Sequence, residues 1–126
     1  MSSHTASSHE TPRLTTHVLD TARGRPAAGV AVQLWRLAGG AREEVARTLT
    51  NADGRCDAPL LAGEALVPGI YELVFAVGAY FAGAGDDGAG DFLDEVPVRF
   101  VVRSGLSHYH VPLLIAPYSY STYRGS

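Results

Sequence analysis

From Leu14 onward, apolar and polar residues alternate one for one in short runs, and each run is closed by glycine, proline, asparagine or aspartate. A period of two sends successive side chains to opposite faces of an extended strand, whereas a helix repeats its apolar positions every three or four residues. Hardly any stretch shows the helical repeat, so the pattern predicts an all-β chain. LTTHVLD sets Leu14, Thr16 and Val18 on one face, with Thr15, His17 and Leu19 on the other. GVAVQLWRL places Val30, Val32 and Leu34 together, and EEVARTLT does the same for Val45 and Leu49. IYELVFAV aligns Tyr71, Leu73, Phe75 and Val77. EVPVRFVV aligns Val96, Val98, Phe100 and Val102, with Pro97 opposite. Proline cannot donate to a strand ladder, which predicts an edge strand or a bulge there. SHYHVPLLI and YSYSTYR, separated by a tight Ala116-Pro117 corner, form the last two strands; Tyr109, Val111 and Leu113 face inward in the first, and Tyr118, Tyr120 and Thr122 supply the core contacts of the second. Seven or more short strands in about 110 residues predict a two-sheet sandwich. GAGDDGAGD (83–91) reads as a loop, and no internal repeat is visible.

Length and charge narrow this picture. At 126 residues the chain suits one domain with one core. Its 13 acidic and 10 basic residues are spread along the chain for a net charge of −3, which offers no cationic stripe to follow a phosphate backbone. A nucleic-acid partner is not expected. Cys56 is the only cysteine, which excludes an internal disulfide and fits a reducing compartment. No run approaches the roughly 20 apolar residues of a membrane span. The start, MSSHTASSHE, has neither a basic region nor an apolar one of the kind that directs export. The expectation is a soluble cytoplasmic protein that is not exported, an organelle being the alternative. Residues 1–12 read as a disordered polar leader and 13–126 as the domain; the alternative for His4 and His9, a metal-binding or targeting tail, has only composition behind it.

The candidate chemistry lies on the outward strand faces. Alternation puts His108 and His110 together on the outer face of the penultimate strand, His17 on the outer face of the first, and Ser119, Ser121 and Tyr123 on one face of the last. If these three strands are neighbours, one sheet carries a row of imidazoles and hydroxyls. Such a row is either a solvated face or a site. The His-x-His pair, with Cα atoms about 6 to 7 Å apart on one side of a strand, is a spacing some zinc sites share. A third histidine and an open position would make a hydrolytic zinc centre, although no Asp, Glu or Cys is placed to complete its shell. Arg55, in TNADGRC, reads by itself as a solvent-facing charge after an Asp-Gly turn. Cys56 has no partner base, and reads as a small half-buried strand residue rather than a nucleophile.

Taken together, LTTHVLDTARGRPAAGVAVQLWR, TNADGR, GIYELVF and SHYHVPLLIAPYSYSTYRGS resemble the transthyretin-like family, and within it the enzymatic branch of 5-hydroxyisourate hydrolases. The resemblance spans about Leu14 to Ser126. Its most specific element is the closing Tyr123-Arg124-Gly125-Ser126, similar to the branch's terminal tetrapeptide. Hormone-binding transthyretins share the fold but lack this tetrapeptide and the histidines, so the enzyme is preferred to a small-ligand carrier. Ala116, where a serine is common, and Ser119, where a glycine is common, depart from the pattern without removing an acid-base group.

The resemblance implies a sandwich of two four-stranded sheets, about eight strands in all, with one short helix near 77–83. It also implies a homotetramer, a dimer of dimers, with active sites in a central channel. The implied reaction is hydrolysis of the N1–C6 amide of 5-hydroxyisourate to 2-oxo-4-hydroxy-4-carboxy-5-ureidoimidazoline. Residue by residue, the catalytic positions fall on His17, Arg55, His110 and Ser126. His17, Arg55, Tyr123 and Ser126 bind substrate; His108, Arg124 and Gly125 stand behind them. The chemistry needs an activated water, a cation for the developing oxyanion and a proton donor for the leaving nitrogen. Histidines and arginine supply these roles, so neither a metal nor an organic cofactor is implied. A terminus used in this way is expected to be tied down rather than frayed.

Overall fold

Every apolar face predicted from the alternation, apart from those of two strands, is turned into one seam between two sheets. The computed structural model describes residues 11–85, 91–103 and 107–125. In chain order the strands are β1 (Arg13–Asp20), β2 (Arg25–Pro26), β3 (Ala31–Ala38), β4 (Ala41–Leu49), β5 (Leu61–Ala62), β6 (Gly69–Ala76), β7 (Glu95–Val102), β8 (Tyr109–Ala116) and β9 (Ser119–Thr122). The helix α1 (Val77–Gly83) follows β6, and a 3-10 turn spans Gly63–Ala65. One sheet runs β2-β1-β8-β9, with β5 also paired to β1; the other runs β4-β3-β6-β7. The expected leader falls largely on residues 1–10, outside the described residues. The loop at 83–91 does so in part.

The core is what period two requires. Leu14 and Val18 of β1, Val32 and Leu34 of β3, Tyr71, Leu73 and Phe75 of β6, Val96 and Val102 of β7, and Leu113 and Ile115 of β8 are all buried together. Each such side chain contributes about 1.5–3 kcal/mol of hydrophobic stabilisation, set against the chain entropy lost on folding. The buried polar residues Thr16, Thr50 and Asp20 are satisfied, whereas Trp35 Nε1 and Arg36 Nε are buried without a hydrogen-bond partner among the described residues. Thr16 Oγ1 donates to the Val111 carbonyl at 2.7 Å, and Thr50 Oγ1 donates to the Ala27 carbonyl at 2.7 Å while accepting from the Val30 N–H at 2.9 Å. Asp20, fully buried at the end of β1, accepts from the Tyr80 hydroxyl at 2.7 Å, the Arg23 N–H at 3.0 Å and Arg23 Nη1 at 3.1 Å. Burial works against its charge, but these donors hold the carboxyl below its ordinary value. Burial and then the Asp20 bond push the Tyr80 phenol up to about 12. This contact fastens α1 to the end of β1.

Pro97 lies in β7, which is an edge strand as predicted. Two expectations about faces are corrected. In β4 the pairing with β3 shifts register between Leu34 and Trp35, so that Leu34 faces Ala46 and Trp35 faces Glu44. Val45 is the extra residue of a bulge. The bulge breaks the two-residue phase: Val45 and Ala46 both pack on the core while Leu49 is 62% exposed. In β9 all four residues are exposed, as are Tyr118 and Tyr120. Tyr120 and Thr122 do pair with the core-facing Ile115 and Leu113, but β9 is the sheet's last strand and its side chains stay open to solvent. The first sheet also contains five strand segments rather than four, because the two-residue β5 joins β1.

Candidate active site

The site is built on the one parallel pairing of the β2-β1-β8-β9 sheet. β1 and β8 run side by side with Thr15 opposite His110 and His17 opposite Pro112. Their shared outer face therefore carries Thr15, His17 and His110 together. The inner face of the same pair is packed with Leu14, Val18, Tyr109, Val111 and Leu113. His110 Nδ1 lies 2.8 Å from Thr15 Oγ1.

Arg55 reaches this face through a turn set up locally by Asn51. Asn51 Oδ1 accepts the N–H groups of Asp53 at 2.9 Å and Arg55 at 3.1 Å, and its Nδ2 donates to Asp57 at 2.9 Å. Gly54 completes the turn at a φ of +75°, a region where a side chain is strained. A Cβ there would also collide with the Val18 carbonyl. The close approach is needed because the Val18 N–H donates to the Gly54 carbonyl at 2.8 Å, which brings Arg55 into a bridge with His17.

On the other side of His110 the chain returns after β9. Pro112, in the middle of β8, has no N–H to give, and regular pairing with β9 stops at Leu113–Thr122. It resumes in one bridge, where the Gly125 N–H donates to the His110 carbonyl at 2.7 Å. A Cβ on Gly125 would stand 2.7 Å from His110 Cδ2 and 3.3 Å from Pro112 Cγ. Only glycine fits this approach without moving the imidazole.

Arg13, Thr15, Thr16, Arg55, Cys56, Ala58, His108 and His110 line an open cavity of about 380 Å³ on this face. Burial first, and the Arg55 charge second, lower the pKa of both His17 and His110 below 6.5; for His110 the proximity of His17 lowers it further. Backbone hydrogen bonds with Asp53 for His17 and with Thr15 for His110 act in the opposite sense, without overturning the shift. Both rings are thus mostly neutral at pH 7 and available as proton acceptors. Burial, then Asp57, pushes the Cys56 thiol up, so Cys56 lines the cavity in its unreactive form.

Of the residues singled out in the sequence, His17, Arg55, His108, His110 and Gly125 meet at this face. Arg124 lies behind it, with its guanidinium 4.4 Å from the Tyr109 ring centroid and Nη2 donating to the His108 carbonyl at 3.2 Å. Tyr123 does not line the histidine cavity within one chain. It lines a separate groove of about 490 Å³ between the β7 and β9 edges, with Val98, Phe100 and Tyr109 among its neighbours. Ser126 lies outside the described residues. Among the described residues no three His, Cys, Asp or Glu side chains converge as a shared metal ion requires. Thr15 and Arg13 were not singled out in the sequence as site residues. Alternation put Thr15 on the outer face, but only the parallel register brings it to His110.

The HIUase/Transthyretin family model matches residues 14–125. The chain belongs to the HIUase/Transthyretin family. Within it, the chain is 60% identical to the 5-hydroxyisourate hydrolase of Mesorhizobium japonicum over 115 residues, 90% of this chain and 92% of the relative. It is 42% identical to that of Mus musculus over 119 residues, 93% of this chain and 98% of the relative. Among solved structures, Klebsiella pneumoniae 5-hydroxyisourate hydrolase superposes with a TM-score of 0.76 at 40% identity, covering 91% of this chain and 99% of that one. Sea bream transthyretin in complex with thyroxine superposes at 0.81 with 29% identity, covering 90% and 94%. The family's sandwich thus serves both a hydrolase and a thyroxine binder, and the residues on the β1-β8 outer face must decide between those uses.

Proposed function

We infer that this member of the HIUase/Transthyretin family is a hydrolase acting on 5-hydroxyisourate. The observation that carries the reading is Arg55 and His110 on one cavity, with His17 bridged to Arg55 on the same sheet face, in a chain 60% identical to a hydrolase of that name. A carrier needs shape and apolar surface; two deprotonated imidazoles beside a guanidinium are instead suited to hydrolysis.

In the proposed reaction the N1–C6 amide of the substrate lies across the His17–Arg55–His110 face. The guanidinium, a permanent cation, binds the carbonyl oxygen and stabilises the charge that develops on it. The neutral histidines share the removal of a proton from the attacking water and its delivery to the leaving ring nitrogen. Ser126 and Tyr123 complete the pocket as substrate-binding residues, and Gly125 fixes the His110 ring by its close approach. The mechanism needs no cofactor.

The site face is open on a single chain, and the edges beside it invite association. β7 and β9 end their sheets, and Val101, Tyr120 and Tyr123 are exposed on or beside them. A homotetramer, assembled as a dimer of dimers, would close the cavity with a second subunit and bring Tyr123 toward a neighbouring site.

Replacing His110 or Arg55 with alanine tests the assignment. Each should lower turnover by roughly 10²-fold or more, the usual cost of losing an acid-base or oxyanion group, with an unchanged far-UV spectrum. Near-normal rates in either folded variant would remove the site from the reaction.

A further inference from the structure

We propose that Thr15 is a positioning residue that holds His110 as its Nδ1–H tautomer, leaving the Nε2 lone pair as the atom that meets water in the cavity. The kinetic consequence rests on the hydrolase reading above; the tautomer itself is a property of the resting protein.

The imidazole of His110 is held around most of its perimeter. On the Nδ1 side stands Thr15 Oγ1 at 2.8 Å. Along the Cγ–Cδ2 edge stands Gly125, so close that a single added methyl there would reach 2.7 Å from Cδ2. The Nε2–Cε1 end is what remains to address the cavity that His110 lines. Thr15 can hold this position because the parallel register places it directly opposite His110, and because a β-branched residue on a strand has few χ1 alternatives.

A hydroxyl either donates or accepts, so by itself it does not choose a tautomer. The choice comes from the groups around it. The nearby Thr15 backbone acts on the ring in the sense that favours a ring proton, against burial and the Arg55 charge. Arg55 and His17, the charged and titratable neighbours on the ring, oppose a second proton. One N–H directed at Thr15 and one free lone pair at Nε2 satisfy both influences. The identity of the protonated nitrogen is set by the hydrogen bond it makes, as is usual for a working histidine.

This tautomer is the one hydrolysis needs. As the water oxygen bonds to the substrate carbonyl carbon, its proton passes to Nε2, and the ring becomes an imidazolium whose Nδ1–H already has its partner. When the C–N bond breaks, the electron pair goes to the leaving nitrogen, and the histidine pair returns the proton to it. With the hydrogen on Nε2 instead, the water would meet a donor and have no acceptor.

The test compares Thr15→Val, which keeps the shape and removes the hydroxyl, with Thr15→Ser, which keeps the hydroxyl. Long-range proton–nitrogen correlation spectra of the substrate-free, ¹⁵N-histidine-labelled full chain above pH 7 identify the tautomer. The wild type and Thr15→Ser should show a protonated Nδ1 and an unprotonated Nε2 at His110, and Thr15→Val should shift the ring toward the Nε2–H form. The kcat of Thr15→Val should fall about tenfold, the net worth of one hydrogen bond, with KM nearly unchanged, and Thr15→Ser should recover to within about twofold. An Nε2–H ring in the wild type would overturn the proposal, even if Thr15→Val failed to fold. So would a Thr15→Val protein with unchanged spectrum and kcat. If the spectra agree but the wild type does not turn over 5-hydroxyisourate, the hydrolase reading falls and the tautomer assignment stands.

Discussion

Arg55 shapes the site through its charge as much as through any contact. Burial begins to lower the pKa of His17 and His110, and the guanidinium lowers both further. Because each ring prefers its neutral form in the folded protein, the unfolded chain binds protons more readily as pH falls below 6.5. The stability these two groups contribute is therefore complete above 6.5, declines as pH falls through their lowered folded values, and is gone below them. Arg55→Gln should raise both pKa values toward the ordinary one and narrow that window. Titration of the histidine ring proton signals measures this without substrate; unchanged values for both rings would show that the guanidinium does not set them. The residue types at the site were legible in the sequence, since alternation put His17, His108 and His110 on outer faces. Thr15 shows what was not legible: its role depends on which strand lies beside β1 and in which register, and a period of two says nothing about either.

At the scale of elements, the segment after β9 connects sequence to site most directly. Regular pairing stops where Pro112 withholds a donor, and Gly125 then returns to bond the His110 backbone and press on its ring. Gly125→Ala should force the ring to move and lower kcat on the order of 10- to 100-fold, as expected for a misplaced catalytic group, with little change in Tm. Activity at the wild-type level would mean that the His110 orientation does not matter. The alternation read β1, β3, β6, β7 and β8 correctly because each of them faces the core along its length. It failed in β4, where the Val45 bulge resets the phase, and in β9, an end strand whose side chains stay exposed. Helix α1 was placed by family resemblance rather than by local pattern. VGAYFAG is short, contains two glycines and has no side-chain N-cap bond. It is held instead by burial of Val77 and Phe81 and by the bond from Tyr80 to Asp20.

For the whole molecule, an open cavity and the exposed end strands β7 and β9 point to assembly. Light scattering of active protein should give the mass of four chains, about four times 13.3 kDa. Full activity in a preparation that is entirely monomeric would contradict a pocket completed by a second subunit. The central claim is narrower and more exposed: the His17–Arg55–His110 face hydrolyses 5-hydroxyisourate. The direct measurement adds purified protein to freshly generated 5-hydroxyisourate and follows the loss of its ultraviolet absorbance against the spontaneous rate, with the His110→Ala protein at equal concentration beside it. The account predicts decay that accelerates in proportion to wild-type protein and stays close to the spontaneous rate with the variant. Decay at the spontaneous rate with folded wild-type protein, or equal acceleration by both proteins, would contradict it.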